Sequence, residues 1–368
     1  MKKLFCFFIC LIFLVCPLPT KALSVSAKSA VLIDAVSGEI LFSKNPNEKL
    51  SMASTTKIMT ALLLCENGDL ERKITVTPEM VYVEGTSMGL KVGMQVSLED
   101  ILYGMILASG NDAANAAAIA IGGGIDNFVA LMNDKARQLG LECTHFNTPS
   151  GLDGDSHYTT SFDLAMLTRY ALNNSDFYKA CSTKSKTVVL DGVKVTLKNH
   201  NRLLSSYNGA IGVKTGFTKK SGRCLVSAAE RDGGRLIAVT LNDGNDWQDH
   251  KSMLDYGFSR LSATSCVFNE TEYKIPVLAG KEQSVTAHSE RIELRTLEGK
   301  TVIKKEYIYP YICAPVKEGE VVGYIEYKSG GYTVAKQTLY AEKCIEANDS
   351  ISFIKRIKNT FFVMFKYV

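Results

Sequence analysis

The chain has 368 residues, of which 46% are hydrophobic, and its formal net charge is +4. A chain of this length and composition is expected to form about two folded domains, which excludes a disordered protein. Residues 1–22 hold three lysines and residues 351–368 hold four lysines or arginines, with no acid in either segment. Subtracting these seven positive charges from the net charge of +4 leaves −3 for residues 23–350. The body of the chain is therefore not basic, and we expect no nucleic-acid partner.

The first 22 residues have the three parts of a secretory signal peptide. Met1-Lys2-Lys3 is basic, residues 4–15 are an unbroken apolar run, and prolines and small residues follow. The apolar run is shorter than the roughly 20 residues that a membrane-spanning helix needs. We therefore expect residues 1–22 to be removed on export, with cleavage after Ala22 or as late as Ala27. An uncleaved anchor is the alternative, and both place the folded chain outside the cytoplasm.

Cysteine and histidine spacing indicates neither a disulfide framework nor a metal site. Seven cysteines follow the predicted signal peptide, an odd and evenly scattered set, so pairing of any two stays open. The five histidines show neither the HExxH nor the HxH spacing of zinc sites. We expect no metal ion and no cofactor.

The mature chain begins with a predicted hairpin, which helices follow. Apolar stretches at residues 30–34 and 39–42 flank Ser37-Gly38 and predict a β-hairpin. The apolar periodicity of residues 55–65 predicts a helix that begins beside Ser54. Similar spacing predicts four more helices, at residues 98–108, 113–121, 125–139 and 161–172.

Strands return after these helices. Asp191-Gly192 joins apolar stretches into the strongest hairpin signal of the chain. The expected elements are strands at 187–190, 193–197, 224–229 and 235–241 and a helix at 247–261. Strands at both ends with helices between them predict an α+β fold, a mixed antiparallel sheet covered by helices, in which the first hairpin pairs with the last. This domain should span residues 28–262, and alternating strands at 266–346 predict a small β-rich second domain.

Ser54-Thr55-Thr56-Lys57 places a hydroxyl and an amine three residues apart at a predicted helix start. Residues i and i+3 of a helix share a face, so these two side chains can meet. A serine hydroxyl is a poor nucleophile until a base takes its proton. Lysine can be that base if burial and a nearby cation, such as Lys214, lower its pKa. The motif alone is weak, because Ser54 would equally suit the cap of an exposed helix.

Two later motifs supply the other groups that acyl transfer needs. In Ser109-Gly110-Asn111 the hydroxyl can carry a proton to a leaving amine and the amide can hold a substrate carbonyl, unless either residue only caps the next helix. Lys214-Thr215-Gly216, expected just before a strand, offers a charge and a hydroxyl to a terminal carboxylate. Its glycine would let a substrate backbone approach a sheet edge. The alternative is a solvated loop.

In this order the three motifs resemble the signature of penicillin-binding proteins and serine β-lactamases. Several stretches are similar, more specifically, to the D-alanyl-D-alanine carboxypeptidases, the low-molecular-weight penicillin-binding proteins: residues 53–60, 107–114, 147–152 with His157 and Asp163, 199–204 and 212–218. The resemblance covers residues 28–262, and the second domain and tail fit the family in order and size. It implies the penicillin-binding, β-lactamase-like transpeptidase fold.

The resemblance also implies a reaction, which is removal of the terminal D-alanine from peptidoglycan pentapeptide stems, with penicillin and other β-lactams as covalent inhibitors. By motif, the site residues would be Ser54 as nucleophile, Lys57 as proton acceptor, Ser109 and Asn111 as the second catalytic element, and Lys214, Thr215 and Gly216 as the carboxylate-binding edge. The N–H of Ser54 and one from the strand after Gly216 would form the oxyanion hole. Phe217 replaces a histidine common in the family, which leaves substrate preference open.

Two other functions compete with this one. A class A β-lactamase shares all three motifs but needs a Glu-x-x-Leu-Asn element, and none occurs between Asn111 and Lys214. A non-catalytic wall-binding or penicillin-sensing protein would be expected to lose Ser54, Lys57 or Lys214, and all three are present. Endopeptidase and transpeptidase side activities stay open, since the acceptor is set by details of the cleft.

Three aromatic or histidine residues outside the motifs are expected to be structural. His157 is predicted to fix its glycine-rich loop by hydrogen bonds rather than to line the cleft. Trp247 and His250 begin a predicted helix and are expected to pack against it or cap it.

The last residues of the chain predict a basic amphipathic helix at 350–368. Its apolar residues recur at helical spacing, its four cations take other faces, and it contains no acid after residue 350. The segment is too short to span a bilayer as one helix of about 20 apolar residues. Helices of this kind lie in the membrane interface. We therefore expect peripheral attachment to an anionic membrane surface, at the outer face of the cytoplasmic membrane.

Overall fold

The computed structural model describes residues 23–348 except for residues 153, 232, 262–263, 297–300 and 330–331. The predicted signal peptide at 1–22 and the predicted helix at 350–368 lie outside the described residues.

Residues 29–261 contain both strands and helices. The strands are β1 (Ser29–Asp34), β2 (Ile40–Lys44), β3 (Lys73–Thr75), β4 (Gln95–Ser97), β5 (Ser185–Leu190), β6 (Val193–Lys198), β7 (Ala210–Thr218), β8 (Gly222–Arg231) and β9 (Gly234–Leu241). The helices are α1 (Lys57–Asn67), α2 (Pro78–Val81), α3 (Leu98–Leu107), α4 (Asn111–Gly122), α5 (Ile125–Gln138), α6 (Ser161–Ala171), α7 (Ser175–Ser182), α8 (Leu203–Ser206) and α9 (Asp246–Leu261).

A five-stranded antiparallel sheet in the order β2-β1-β9-β8-β7 organises this part of the chain. The first hairpin pairs with the last through β1 and β9, as the sequence predicted. All six residues of β1 are buried, because helices cover both faces of the sheet. Leu32 and Leu236 pack against Met253 of α9, whereas Ile33 and Ile237 share the larger core with α1, α3, α4 and α6. The predicted α+β class is therefore confirmed.

Helix α1 lies at the centre of the larger core, with every residue from Lys57 to Leu64 buried. Helix α4 is rich in alanine, and its small side chains let it pack closely against α1 and α3. A burial pattern this complete makes the start of α1 a place where polar side chains must find partners within the protein.

Three local features differ from the sequence prediction. Ser54 lies in a separate 3-10 turn, Ala53–Thr56, before α1 rather than in the helix itself. Lys214-Thr215-Gly216 lies inside β7, because residues 212–218 each pair with a residue of β8. Helix α7 was not predicted, although the Asn174 side chain accepts hydrogen bonds from two backbone N–H groups of its first turn, a capping pattern visible in sequence.

The second part of the described chain is all β, as predicted. Its strands are β10 (Thr264–Phe268), β11 (Thr271–Leu278), β12 (Ser284–Ser289), β13 (Ile292–Thr296), β14 (Val302–Ile308), β15 (Ile312–Cys313), β16 (Val321–Ser329) and β17 (Tyr332–Tyr340). They form sheets in the orders β10-β13, β12-β11-β15 and β14-β16-β17 around a separate core that includes Ile275, Val285, Ile325 and Tyr327.

Within residues 23–348, leaving out the gaps, no single helix is long and apolar enough to cross a membrane. Helices α4 and α5 have the length and apolar composition of a membrane span only when they are counted together, and they meet at an angle of 84°. Over the same residues, no group of three or more His, Cys, Asp or Glu side chains is arranged to hold a metal ion.

Candidate active site

A cleft of about 660 Å³ brings the three sequence motifs together beside β7. Ser54, Ser109, Asn111, Thr215 and Gly216 all line it. The two motif lysines, Lys57 and Lys214, are almost completely buried behind its wall. All seven predicted site residues thus meet at one place, although they come from three distant parts of the chain.

Ser54 and Lys57 are in direct contact. The 3-10 turn and the start of α1 place Lys57 Nζ 2.9 Å from Ser54 Oγ. The turn requires Ala53 to adopt a left-handed backbone conformation with φ of 48°, which costs about 1–2 kcal/mol for a residue with a side chain. The hydroxyl of Thr56 donates to the Ala53 carbonyl at 2.8 Å and holds it in place.

Lys57 uses all three of its hydrogen-bond positions inside the protein. Besides Ser54 Oγ, its Nζ contacts Asn111 Oδ1 at 2.7 Å and the Ser150 carbonyl oxygen at 2.7 Å. Burial, followed by the positive charge of Lys214, holds the pKa of Lys57 well below its ordinary value of 10.5, while Asp112 acts in the opposite direction. Burial and the Lys214 charge therefore favour the neutral amine that a base requires.

Lys214 is the second buried lysine of the site, and it contacts the second motif serine. Its Nζ donates to Ser109 Oγ at 3.0 Å and to its neighbour's carbonyl, that of Thr215, at 2.9 Å. Burial lowers the pKa of Lys214 from 10.5 to about 7. Burial thus lowers the pKa of both amines, and the charge of Lys214 lowers that of Lys57 further. One amine contacts Ser54 and the other contacts Ser109.

Asn111 links Lys57 to the wall of the cleft. Its side-chain oxygen accepts from Lys57, and its Nδ2 donates to the Glu84 carbonyl at 2.5 Å. The next residue, Asp112, accepts hydrogen bonds from Ser87 Oγ and from the backbone N–H groups of residues 88–90. The start of α4 therefore fixes both the catalytic-motif amide and the segment that forms one side of the cleft.

Gly151 and His157 support the turn that carries Ser54. A Cβ at Gly151, where φ is +86°, would lie 2.0 Å from the Ala53 carbonyl oxygen, so only glycine fits. The Nδ1 of His157 accepts from the Asn147 N–H at 2.9 Å, which leaves Nε2 to donate to Thr56 Oγ1 at 2.8 Å. His157 is buried and absent from the cleft lining, so its predicted supporting role fits this geometry.

Gly216 lets β7 lie against the nucleophile turn. A Cβ there would be 3.0 Å from the Ser54 backbone nitrogen and 3.1 Å from the Met52 carbonyl oxygen. Because β7 is the edge strand of the sheet, its backbone beside Ser54 is open to a substrate on the side away from β8. This is the place where an oxyanion hole would be expected.

Sequence analysis missed a group of residues at the far end of the cleft. Trp247 lines the cleft instead of only packing its helix, and the guanidinium groups of Arg202 and Arg223 each lie 5.9 Å from its ring centroid. Arg223 also pairs with the buried Asp246 at 3.0 Å. Two arginines against one aspartate make this end favourable to an anionic substrate. His250 is buried between Ser227 and Thr240 hydroxyls, away from the cleft.

Comparison with known proteins agrees with this geometry. The family described as D-alanyl-D-alanine carboxypeptidase (Peptidase_S11) matches residues 18–245, and the penicillin-binding protein 5 C-terminal domain matches residues 263–347. The chain belongs to the D-alanyl-D-alanine carboxypeptidase family. The family resemblance inferred from the three motifs is thereby confirmed, and the chain is a serine-type peptidase of this family.

Relatives in this family match nearly the whole chain. It is 33% identical to the D-alanyl-D-alanine carboxypeptidase DacF of Bacillus subtilis, covering 92% of this chain and 90% of DacF. It is 32% identical to the carboxypeptidase DacC of Escherichia coli, covering 94% and 90%. These shares of both chains include the β-rich second part.

Solved structures of the family support the fold. Penicillin-binding protein 5 of Haemophilus influenzae superposes with a TM-score of 0.63 at 28% identity, covering 88% of this chain and 98% of that one. A mutant of the Streptomyces K15 DD-transpeptidase gives a TM-score of 0.62 at 34% identity, covering 64% of this chain and 99% of that one. Family membership implies peptidoglycan stem peptides as substrates, binding of β-lactams and an extracytoplasmic place of action.

Proposed function

We propose that Ser54 is the nucleophile with which this carboxypeptidase removes the terminal D-alanine from stem peptides. The observation that carries the proposal is the 2.9 Å contact between Ser54 Oγ and the Nζ of a fully buried Lys57. Burial and the adjacent cation Lys214 favour the neutral form of this amine. A neutral amine within hydrogen-bond reach of a serine hydroxyl is what general-base activation of that serine requires.

The acylation step uses both sides of the cleft. Ser54 Oγ bonds to the carbonyl carbon of the penultimate D-alanine while its proton passes to Lys57. The bond from that carbon to the terminal D-alanine nitrogen breaks, and the proton that Lys57 accepted passes to the departing nitrogen through Ser109, which Lys214 contacts at 3.0 Å. Lys57 is then neutral again. The N–H groups of Ser54 and Phe217 stabilise the negative oxygen of the intermediate.

The remaining motif residues bind the substrate. The Asn111 amide faces the substrate backbone, and Gly216 allows that backbone to approach β7. The terminal carboxylate meets the Thr215 hydroxyl, which lines the cleft, and the positive charge of Lys214, which lies behind it. Water then attacks the ester carbonyl while Lys57 takes its proton. The bond from that carbon to Ser54 Oγ breaks, Lys57 returns the proton to the Ser54 oxygen, and the shortened peptide is released.

Mass spectrometry of the acyl-enzyme tests these roles. The purified chain incubated with penicillin should gain one covalent adduct on Ser54, and Ser54→Ala should show none. Ser205→Ala, a change of an exposed serine in α8, is the matched control and should acylate as the wild type does. An adduct mapped to another residue, or retained in Ser54→Ala, would contradict the assignment.

A hydrolytic β-lactamase would release the penicillin adduct quickly. Class A enzymes do so with a glutamate from a Glu-x-x-Leu-Asn element, which the segment between Asn111 and Lys214 lacks. We therefore expect the adduct to persist for many minutes in the same experiment. Turnover of penicillin on the time scale of peptide hydrolysis would favour the β-lactamase alternative.

We propose further that residues 350–368 attach the enzyme peripherally to the outer face of the cytoplasmic membrane. The apolar residues at helical spacing and the cations Lys355, Arg356, Lys358 and Lys366 support this. Deleting residues 351–368 should abolish binding to anionic liposomes and leave hydrolysis of small peptides intact. The double change of Phe361 and Phe365 to serine keeps every charge and should also abolish binding. Unchanged binding by the deletion would contradict the anchor.

The contacts of Ser26 support a mature chain that begins before this residue. Ser26 Oγ lies 2.6 Å from Asp243 Oδ1, to which it can donate its single hydrogen, and the Ser26 backbone N–H donates to Asp249 Oδ2 at 2.5 Å. The neighbours Val25 and Ala27 are buried. Cleavage after Ala27 would remove the partner of two buried carboxylates, which is costly. We propose cleavage after residue 22, a catalytic domain at 28–262 and a β-rich domain at 266–346.

A further inference from the structure

The three-stranded sheet β14-β16-β17 of the second domain has one buried and one solvent-facing side. Along β16, Ile325 and Tyr327 are buried in the domain core, and the residues between and beside them point the other way. The pairing register places residues of β14 and β17 in the same rows. We name this side the outer face, and it comprises Ile303, Lys305, Tyr307, Val321, Tyr324, Glu326, Lys328, Lys336 and Tyr340.

Aromatic rings form the middle of the outer face. Tyr307 and Tyr324 are cross-strand partners whose rings stack with centroids 4.7 Å apart and planes 21° from parallel. Tyr307, Tyr340 and Ile303 are 40%, 52% and 59% exposed. Several large apolar side chains exposed side by side on a soluble domain usually mark a binding surface. Flat tyrosine rings offer such a surface at a low cost in conformational entropy.

Lysines surround these rings. Lys336 Nζ lies 3.8 Å above the centroid of the Tyr324 ring, and Lys305 is exposed in the neighbouring row. Lys328 pairs with Glu326 at 2.9 Å. Three lysines against one glutamate give the outer face a positive charge, although residues 23–350 as a whole carry −3 by the sequence count above. Charge complementarity therefore favours a negatively charged occupant.

The positive charge of the outer face disfavours the two occupants that the chain itself could supply, its own C-terminal segment and a second copy. The C-terminal segment 351–368 carries four cations and no acid, so it would meet like charge on the outer face. A second copy of the sheet, face to face with the first, would meet like charge in the same way. An occupant with apolar faces for the tyrosine rings and regularly spaced anions for the lysines fits better.

We propose that the outer face binds the glycan strand of peptidoglycan. The C–H faces of its sugar rings would pack on the exposed side of the Tyr307 ring, which Tyr324 supports from behind. The carboxylates of its muramic acid residues, which are free wherever a stem peptide has been removed, would lie near Lys305 and Lys336. This is a second site on the polymer whose stem peptides the cleft processes, and it goes beyond the catalytic assignment. Holding the enzyme on the polymer raises the effective concentration of stem peptides at the cleft.

Sedimentation of the complete mature chain with insoluble glycan strands freed of stem peptides tests the proposal, since such strands offer nothing for the cleft to cleave. We expect Tyr307→Ser with Tyr324→Ser, and separately Lys305→Glu with Lys336→Glu, to raise the Kd about tenfold, or ~1.4 kcal/mol. Added salt should weaken the wild type more than the lysine variant. Lys274→Glu, an exposed charge change on β11, is the matched control and should bind as the wild type does.

A second measurement separates this site from the cleft. The kcat/KM for a small soluble D-Ala-D-Ala peptide should be the same in the wild type and in both outer-face variants. Equal sedimentation of the wild type and both variants would overturn the proposal. So would variants that keep glycan binding but lose a cross-link to another wall protein, because the outer face would then be a protein-docking surface.

Discussion

Replacing Lys214 by methionine should stabilise the catalytic domain while it disables the enzyme. Lys214 is almost completely buried, and burial lowers its pKa from 10.5 to about 7. Each tenfold change in a protonation constant is worth about 1.4 kcal/mol, so keeping this lysine charged inside the protein costs on the order of 4–5 kcal/mol. Methionine has a similar length and carries no charge.

The substitution also removes two hydrogen bonds, those to Ser109 Oγ and the Thr215 carbonyl. Leaving such acceptors without a donor costs about 1–2 kcal/mol together when one of them borders the solvent-filled cleft. The charge penalty is larger, so we expect Lys214→Met to raise the free energy of unfolding by about 2–3 kcal/mol at pH 7. Acylation by penicillin should fall sharply in the same variant.

Urea denaturation followed by fluorescence is a suitable assay, because Trp247 is the only tryptophan of the chain and lies in this domain. Below pH 7 Lys214 is protonated in both states and the full penalty applies. Between pH 7 and 10.5 the unfolded chain binds more protons than the folded one, so wild-type stability rises with pH. The advantage of Lys214→Met should therefore shrink toward pH 10. No stabilisation at pH 7, or an advantage that does not depend on pH, would refute this reasoning.

Three further outcomes are expected. The acylation rate should rise with pH as Lys57 deprotonates below its ordinary pKa of 10.5, and Lys57→Ala should lower it about 10²–10⁴-fold; stopped-flow acylation at several pH values checks both, and a normal rate in Lys57→Ala would point to another base. Gly151→Ala should destabilise the domain by clashing with Ala53, whereas Gly192→Ala, which meets nothing within 4 Å at a similar φ, should cost only about 1 kcal/mol; equal thermal shifts would argue against the clash. Intact-mass analysis of the exported chain should find Leu23 as the first residue, and a chain that begins five residues later would contradict the proposed cleavage.

Local sequence signals predicted the parts of the fold that local interactions determine. The hairpin around Asp191-Gly192 and the hairpin around Ser37-Gly38 both formed where the turn residues placed them. The separate 3-10 turn at Ser54 was not predictable in this way. It depends on Gly151 and Gly216, which are distant in sequence and leave room for the Ala53 backbone.

The same distinction holds for the active site. Each motif is recognisable from adjacent residues, and the family resemblance is sufficient to predict that the three motifs meet in one cleft. Arg202, Arg223 and Trp247 come from three separate segments, each of which has an ordinary structural explanation on its own. Only the pairing of β7 with β8 and the packing of α9 bring them together, so no local pattern could reveal this end of the cleft.

The three contacts of Lys57 determine the direction in which the Ser54 proton points. A neutral amine has two N–H bonds and one lone pair, yet three oxygens surround this nitrogen. The Ser150 carbonyl oxygen can only accept a hydrogen bond. The Asn111 side chain also presents its oxygen, an acceptor, to Lys57, because its Nδ2 donates to the Glu84 carbonyl. These two oxygens take both hydrogens of the amine. The lone pair is left facing Ser54, so deprotonation of Lys57 turns the serine from acceptor to donor and aligns its O–H bond for transfer before any substrate arrives.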